Sequence, residues 1–204
     1  LDNANISYVH VVKNLGFIIN CQLKCSSHTN ATVQKIYNVL RKLWFTASYL
    51  PSALKLKLVK SLIVPFITYG ANVYGCLDES SSRKLQVSIN NCARFIYNKR
   101  KFDHISQYSL NVLGCTLQTY LNNRNLIFLH KLVSTKLPKY LHDSLHFARS
   151  SRTYNIVIPK HKYLTSSRLF FINTIKLWNS LPHKLKFENN PIKFKVNILN
   201  LNNN

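Results

Sequence analysis

Acidic residues are scarce: 6 Asp and Glu stand against 28 Lys and Arg in 204 residues, a formal net charge of +22. That shortage excludes a good deal of chemistry. Two-metal phosphoryl transfer needs carboxylates converging on divalent ions, yet only Asp78 and Glu79 are neighbours among the acids. An N-cap role at the start of a helix already accounts for that pair. The 4 glycines are separated, so no phosphate-cradling loop is present. Eight histidines offer general bases, but none pairs with a motif-like nucleophile, and zinc-hydrolase spacing is absent. The 5 cysteines (Cys21, Cys25, Cys76, Cys92 and Cys115) are odd in number and scattered, which favours reduced intracellular thiols over a disulfide framework. Cys21, Cys25 and His28 make three of the four ligands a closed zinc site needs, and no fourth follows at finger-like spacing. No catalytic centre, metal or cofactor is therefore expected in the chain itself.

Methionine is missing altogether and the chain opens on Leu1, so the expectation is a piece of a longer product. No secretory signal opens it. Long apolar runs are missing too. The uncharged window 61–77 contains Pro65, Thr68, Asn72 and two glycines, and it falls short of the ~20 apolar residues of a membrane span.

What is present is a core. Hydrophobic residues make up 46% of the chain and charged ones 17%, which is not the balance of a disordered basic tail. The bases run along the whole length rather than forming one block. A folded core under a positive surface points to a polyanionic partner, with nucleic acid ahead of an anionic membrane. For any single lysine, an ordinary solvated side chain is the competing explanation.

Taken in order, residues 6–17 are rich in β-branched and aromatic side chains, punctuated at Asn14-Leu15-Gly16 before Phe17-Ile18-Ile19 resumes the run. This predicts a short β-hairpin with Lys13 exposed and Gly16 permitting a close backbone approach. A polar segment, 25–30, closes that unit. Residues 31–49 then switch to helical spacing, with Val33, Ile36, Leu40, Leu43, Trp44 and Ala47 on the apolar face. Residues 51–77 place Leu54, Leu58, Leu62, Phe66 and Tyr69 on one side and Lys57 and Lys60 on the other, with Lys55 joining the basic half. Pro65 should kink or interrupt that run. A capping turn at 78–82 leads into a helix over 83–97, with Leu85, Ile89, Cys92, Ala93 and Ile96 on one face and a basic cluster at its end. A short helix in 103–115 stops at Gly114, and another spans 116–135. A strand at 154–158, a helix at 166–181 ended by Pro182, and a last amphipathic piece at 192–201 follow. That last piece shows Ile192, Val196 and Leu199 on one side. The fold expected is mainly α: a short N-terminal β-hairpin, a helical bundle, then a second helical region. Trp44 and Trp178 could stack on bases, but both sit at helical spacing among apolar residues, which favours the core for each.

The order of these segments resembles a known family. Val12-Lys13-Asn14-Leu15-Gly16-Phe17-Ile18-Ile19 resembles the hairpin that follows the catalytic core in non-LTR (LINE-type, Jockey-like) retrotransposon reverse transcriptases. The family's His-containing helix start corresponds to the neighbourhood of His28. LVKSLIVPFITYG at 58–70 is similar to its Pro/Tyr-Gly helix, and 83–98, ending ARFIYN, to the helix after it. Arg152-Thr153, Val157-Ile158-Pro159, Leu177-Trp178-Asn179-Ser180-Leu181-Pro182 and Phe194-Lys195 match the closing elements in order. Asn20 departs from the family's frequent Asp and fits a divergent or decayed copy.

The resemblance implies a division into the end of the palm with its primer-grip-like hairpin (1–27), a thumb-like helical bundle (28–103) and a post-thumb region (104–204). It implies that the polymerase aspartates, which in the full-length family use Mg2+, lie before Leu1 with the rest of the palm and the fingers. It also implies an RNA/DNA primer–template duplex as partner, no membrane, and an intracellular location that admits the nucleus. A thumb grips the sugar–phosphate backbone, so basic residues without base-reading geometry suffice. The positions that would serve are Lys13 and Gly16 in the hairpin, Lys35, Arg41 and Lys42 on the first helix, and Lys55, Lys57 and Lys60 on the second, with Lys57 and Lys60 foremost because their face is cleanly polar. Arg94 and the run Lys99, Arg100 and Lys101 complete the set. The alternative is a non-catalytic helical interaction module or a retrotransposon relic, and peripheral membrane binding through basic helices is a third.

Overall fold

Leu15 and Gly16 both take positive φ, 46° and 83°. Two such residues in succession make the tight turn whose twist matches a β-hairpin. It joins β1 (Val11–Asn14) to β2 (Phe17–Asn20), paired antiparallel with Val12 opposite Ile19. The hairpin belongs to a computed structural model that describes residues 9–22, 24–72, 77–148, 154–160 and 170–201. The expected strand residues 6–8, Leu77's neighbours 73–76 with Cys76, the 149–153 loop with Arg152 and Thr153, and helix residues 166–169 lie outside the described residues. The rest is mainly helical, as expected: α1 (Ser26–Trp44), α2 (Ser52–Leu62), α3 (Val64–Thr68), α4 (Glu79–Tyr97), α5 (Ser106–Leu113) and α6 (Leu117–Thr135). Then come α7 (Lys139–His142), α8 (Phe170–Asn179), α9 (His183–Lys186) and α10 (Pro191–Leu201).

The hairpin rests on the bundle through one ring. Phe17 stacks on His28 at 4.1 Å between centroids and on Tyr69 at 5.7 Å. The Tyr69 hydroxyl donates to the Leu15 carbonyl. Gly70, at φ 65°, has the Phe17 ring where a Cβ would stand, so this close approach needs glycine. Val11 and Val12 of β1 remain exposed, as does Val9 before it.

Helix α1 begins five positions before the expected Ala31, because His28, Thr29 and Thr32 are buried and take the polar segment into the helix. Tertiary packing overrides the turn-like composition there. The imidazole of His28 accepts the Ile18 N–H at Nδ1, 3.4 Å away. Burial depresses its pKa and the nearby Lys35 adds to the effect. A base whose folded pKa is lowered binds fewer protons in the native state than in the unfolded one. Its contribution to stability is present above the ordinary value of 6.5 and is lost as pH falls toward the depressed one. Urea midpoints should therefore drop on acidification from neutral pH, and a His28→Gln variant should drop less over the same window.

Pro65 does interrupt the second helical stretch. α2 ends at Leu62, and the proline sits in the first turn of α3, where its missing N–H costs nothing. The buried stripe, however, is not the expected one. Lys55, Val59, Ile63 and Ile67 face the core, whereas Leu54, Leu62 and Tyr69 are exposed. Lys55 is thus no surface cation; its aliphatic stem packs inward.

Asp78 caps α4 by accepting from the Ser81 N–H at 3.3 Å. The side chains of Ser81 and Ser80 hold its carboxyl below the usual range. The expected face of α4 is buried throughout, and burial pushes the Cys92 thiol up to about 12. Gly114, at φ 80°, ends α5, and Thr116 caps α6 by accepting from the Thr119 N–H at 3.2 Å.

Two clusters of buried side chains organise these helices. The first draws on α1 to α5 and includes Leu117 and Leu121; the second begins at Leu126 and includes Ile175, Trp178, Phe194 and Ile198. They meet on α6, which gives Leu117 and Leu121 to the first and Leu126, Leu129 and Leu132 to the second and also buries Asn123, Asn125 and His130. Packing therefore runs across the 103/104 position rather than stopping there. The Trp-Asn-x-Leu-Pro stretch works as a latch within the second cluster. Trp178 Nε1 donates to the Tyr154 carbonyl at 3.1 Å. The Asn179 amide brackets the Ile156 backbone, accepting its N–H at 2.9 Å and donating to its carbonyl at 2.8 Å. On α10 the buried residues are Phe194 and Ile198; the expected stripe of Ile192, Val196 and Leu199 is exposed.

Candidate nucleic-acid interface

Helices α1 and α4 pack side by side. Both carry basic residues in the last turn, Arg41 and Lys42 on α1 and Arg94 on α4, where cations offset the negative end of the helix dipole. Beyond α4, Asn98 takes the left-handed conformation at φ 52° and turns the chain, which lays Lys99, Arg100 and Lys101 back beside the helix ends. An open groove of about 1010 Å³ results. Arg41, Arg94, Lys99, Arg100 and Lys101 line it, and its floor and walls include Leu40, Trp44 and Phe45.

The polar side of the groove is braced. Asn91 donates to the Tyr37 hydroxyl at 2.8 Å and accepts from Arg94 Nη1 at 3.2 Å. Arg94 Nε also donates to the Arg100 carbonyl at 3.3 Å. Asp103, the nearest acid in sequence, accepts the Arg100 backbone N–H at 2.8 Å and leaves the guanidinium alone. Among the described residues the ion pairs are Arg83 with Glu79 and His142 with Asp143, so none of the groove's five cations is neutralised by a carboxylate.

Of the expected binding residues, Arg41, Arg94, Lys99, Arg100 and Lys101 meet in this groove. Lys99 also lies over the Tyr108 ring, 5.0 Å from its centroid. Lys42 is exposed next to Arg41 but does not line the groove. Lys35 is exposed beside a smaller cleft with His28 and Tyr69. Lys13 is exposed on β1, and Lys57 and Lys60 are exposed on α2, away from the groove lining. Gly16 is half-buried, with the Tyr69 hydroxyl 3.5 Å from where a Cβ would be. Trp44 departs from the favoured of its two readings. Expected in the core, it is 47% exposed, with its ring set at 73° to the buried Phe95 at 5.6 Å. Phe45, one residue on, is 81% exposed. The available signal was position: Trp44 closes α1 two residues beyond Lys42.

Among the described residues no three His, Cys, Asp or Glu side chains are grouped to hold a metal ion. No helix among them is long and apolar enough to cross a membrane. No protein-family model, curated protein or solved structure matches the chain.

Proposed function

We propose that this chain is the thumb and post-thumb part of a non-LTR retrotransposon reverse transcriptase, holding primer–template nucleic acid by its backbone without polymerase chemistry of its own. The observation that carries the binding half of this reading is the groove between α1 and α4, where five cations converge and no carboxylate pairs with them. Convergent guanidinium and ammonium groups on a +22 chain suit phosphates, which position a nucleic acid without reading its sequence. The family half rests on the ordered motifs, from the Leu-Gly hairpin to the Trp-Asn-x-Leu-Pro stretch.

Binding to an RNA/DNA duplex should weaken linearly on a log–log salt plot and show little sequence preference. Replacing Lys99, Arg100 and Lys101 by alanine should flatten the slope by roughly 2 to 3, since each lost phosphate contact removes about 0.7–0.9. Salt-insensitive or strictly sequence-specific binding would sink the proposal. An in-frame Ala-Asp-Asp motif upstream in the coding sequence tests the family half.

A second reading, a helical module for protein contacts, is favoured by the exposed stripe of Ile192, Val196 and Leu199 on α10.

A further inference from the structure

Granted nucleic-acid binding at the α1–α4 groove, we infer that the groove takes unpaired nucleotides: single-stranded RNA or DNA whose bases stack on Trp44 and Phe45 while its phosphates meet Arg41, Arg94 and Arg100. Backbone contact with a duplex calls only for cations. This groove has more than cations. Its volume of about 1010 Å³ is at the upper end of the roughly 300–1,000 Å³ typical of organic-ligand sites.

The aromatic groups are placed as a platform. Phe95, fully buried, meets the Trp44 ring nearly at right angles and fixes its plane, while 47% of Trp44 stays open to solvent. Phe45 follows at 81% exposure. Two large rings in succession, left open at the end of a helix, form an apolar surface that needs a covering partner. A duplex keeps its base faces inside its own stack and offers these rings nothing. A single strand offers every base face, and stacking on aromatic side chains is how such strands are held irrespective of sequence. Outside the groove lining, Phe102 is 92% exposed, with the Lys101 ammonium 5.5 Å from its ring centroid. Cation and ring side by side suit a phosphate next to its base.

The full chain is titrated with oligothymidylate, oligouridylate and a blunt RNA/DNA duplex of the same length, at one low salt concentration. Trp44→Ala and Phe45→Ala are each expected to weaken single-strand binding about tenfold or more and duplex binding by clearly less, so that the preference for single strand over duplex falls, with Trp44→Phe recovering part of the loss. Phe45 is so exposed that its truncation leaves the fold intact, and far-UV circular dichroism verifies the Trp44 variants. The chain holds 2 tryptophans and Trp178 is fully buried, so single-strand binding should quench the exposed emission of Trp44. Comparable losses on DNA and RNA strands support recognition of bases; a loss confined to one narrows the ligand to that sugar. Duplex binding that persists while the aromatic variants leave single-strand affinity unchanged overturns this inference alone. Absence of binding to any of the three overturns the nucleic-acid reading as well.

Discussion

Replacing Trp178 by alanine is expected to cost about 3–5 kcal/mol, the range for truncating a large aromatic side chain in a core. A small domain has roughly 5–15 kcal/mol in total, so the variant should be near unfolding at ambient temperature. Trp178 has no solvent exposure. Its ring lies 6.0 Å from Phe194 and 6.4 Å from His130, centroid to centroid. His130 in turn stacks on Phe194 at 4.0 Å and donates from Nε2 to the Glu188 carbonyl at 2.6 Å. Truncation therefore opens a void where α6, α8 and α10 meet, and it also removes the indole N–H from the Tyr154 carbonyl. The damage should be uneven. Amide protons of α8 and α10 should exchange faster before those of α4, whose core, Leu85 to Ile96, shares no contact cluster with Trp178. Denaturant melts and hydrogen exchange together check this. A loss under about 1 kcal/mol would mean that the site collapses around the missing ring and that the latch is not the keystone of the second cluster.

The elements were legible wherever a local device sets them. Gly16 at the hairpin turn and Gly114 after α5 act through positive φ, and Asp78 before α4 through its side-chain cap, each as its type implies. What escaped was the choice of face. On α2 a leucine stripe (Leu54, Leu58, Leu62) and the stripe through Lys55, Val59 and Ile63 both offer apolar surface, and periodicity counts the first as better. Packing chose the second, because a lysine stem is apolar along most of its length. The same ambiguity sits on α10, where Phe194 and Ile198 bury and three aliphatic neighbours stay exposed.

The candidate site was half legible. The basic run after Tyr97 was visible as charge, but its return beside Arg41 depends on the left-handed turn at Asn98, a tertiary matter. Trp44 lies four residues beyond Leu40, on the buried line of α1, so helical spacing sends it inward. It escapes because α1 ends there: the ring finds Phe95 on one side and open solvent on the other. Spacing reports which way a side chain points, and it does not report where the partner helix stops.

Lys55 and Asn98 carry the other large effect, and its asymmetry is what can be tested. The Lys55 ammonium is fully buried, donates to Asn98 Oδ1 at 2.6 Å and lies 5.4 Å from the centre of the Phe95 ring. Asn98 has two duties: it accepts from that charge, and it turns the chain at positive φ. Asn98→Ala loses both. A hydrogen bond to a charged group is worth about 1.5–3 kcal/mol, and forcing alanine into the left-handed region adds about 1–2, so the total should reach about 2.5–5 kcal/mol. Asn98→Gly keeps the turn and should lose only the first part. Lys55→Met removes the charge along with its need for a partner, keeps the stem's volume, and leaves the exposed Asn98 amide to water; it should cost under about 1 kcal/mol, as buried charges replaced by apolar side chains often do. In the Lys55→Met background the penalty of Asn98→Gly should all but vanish, a coupling that a double-mutant cycle reads directly. If Lys55→Met instead proved as damaging as Asn98→Ala, the ammonium would be a net source of stability at the C-terminal end of α4. The groove floor beneath Trp44 would then depend on that charge rather than on the shape of its stem.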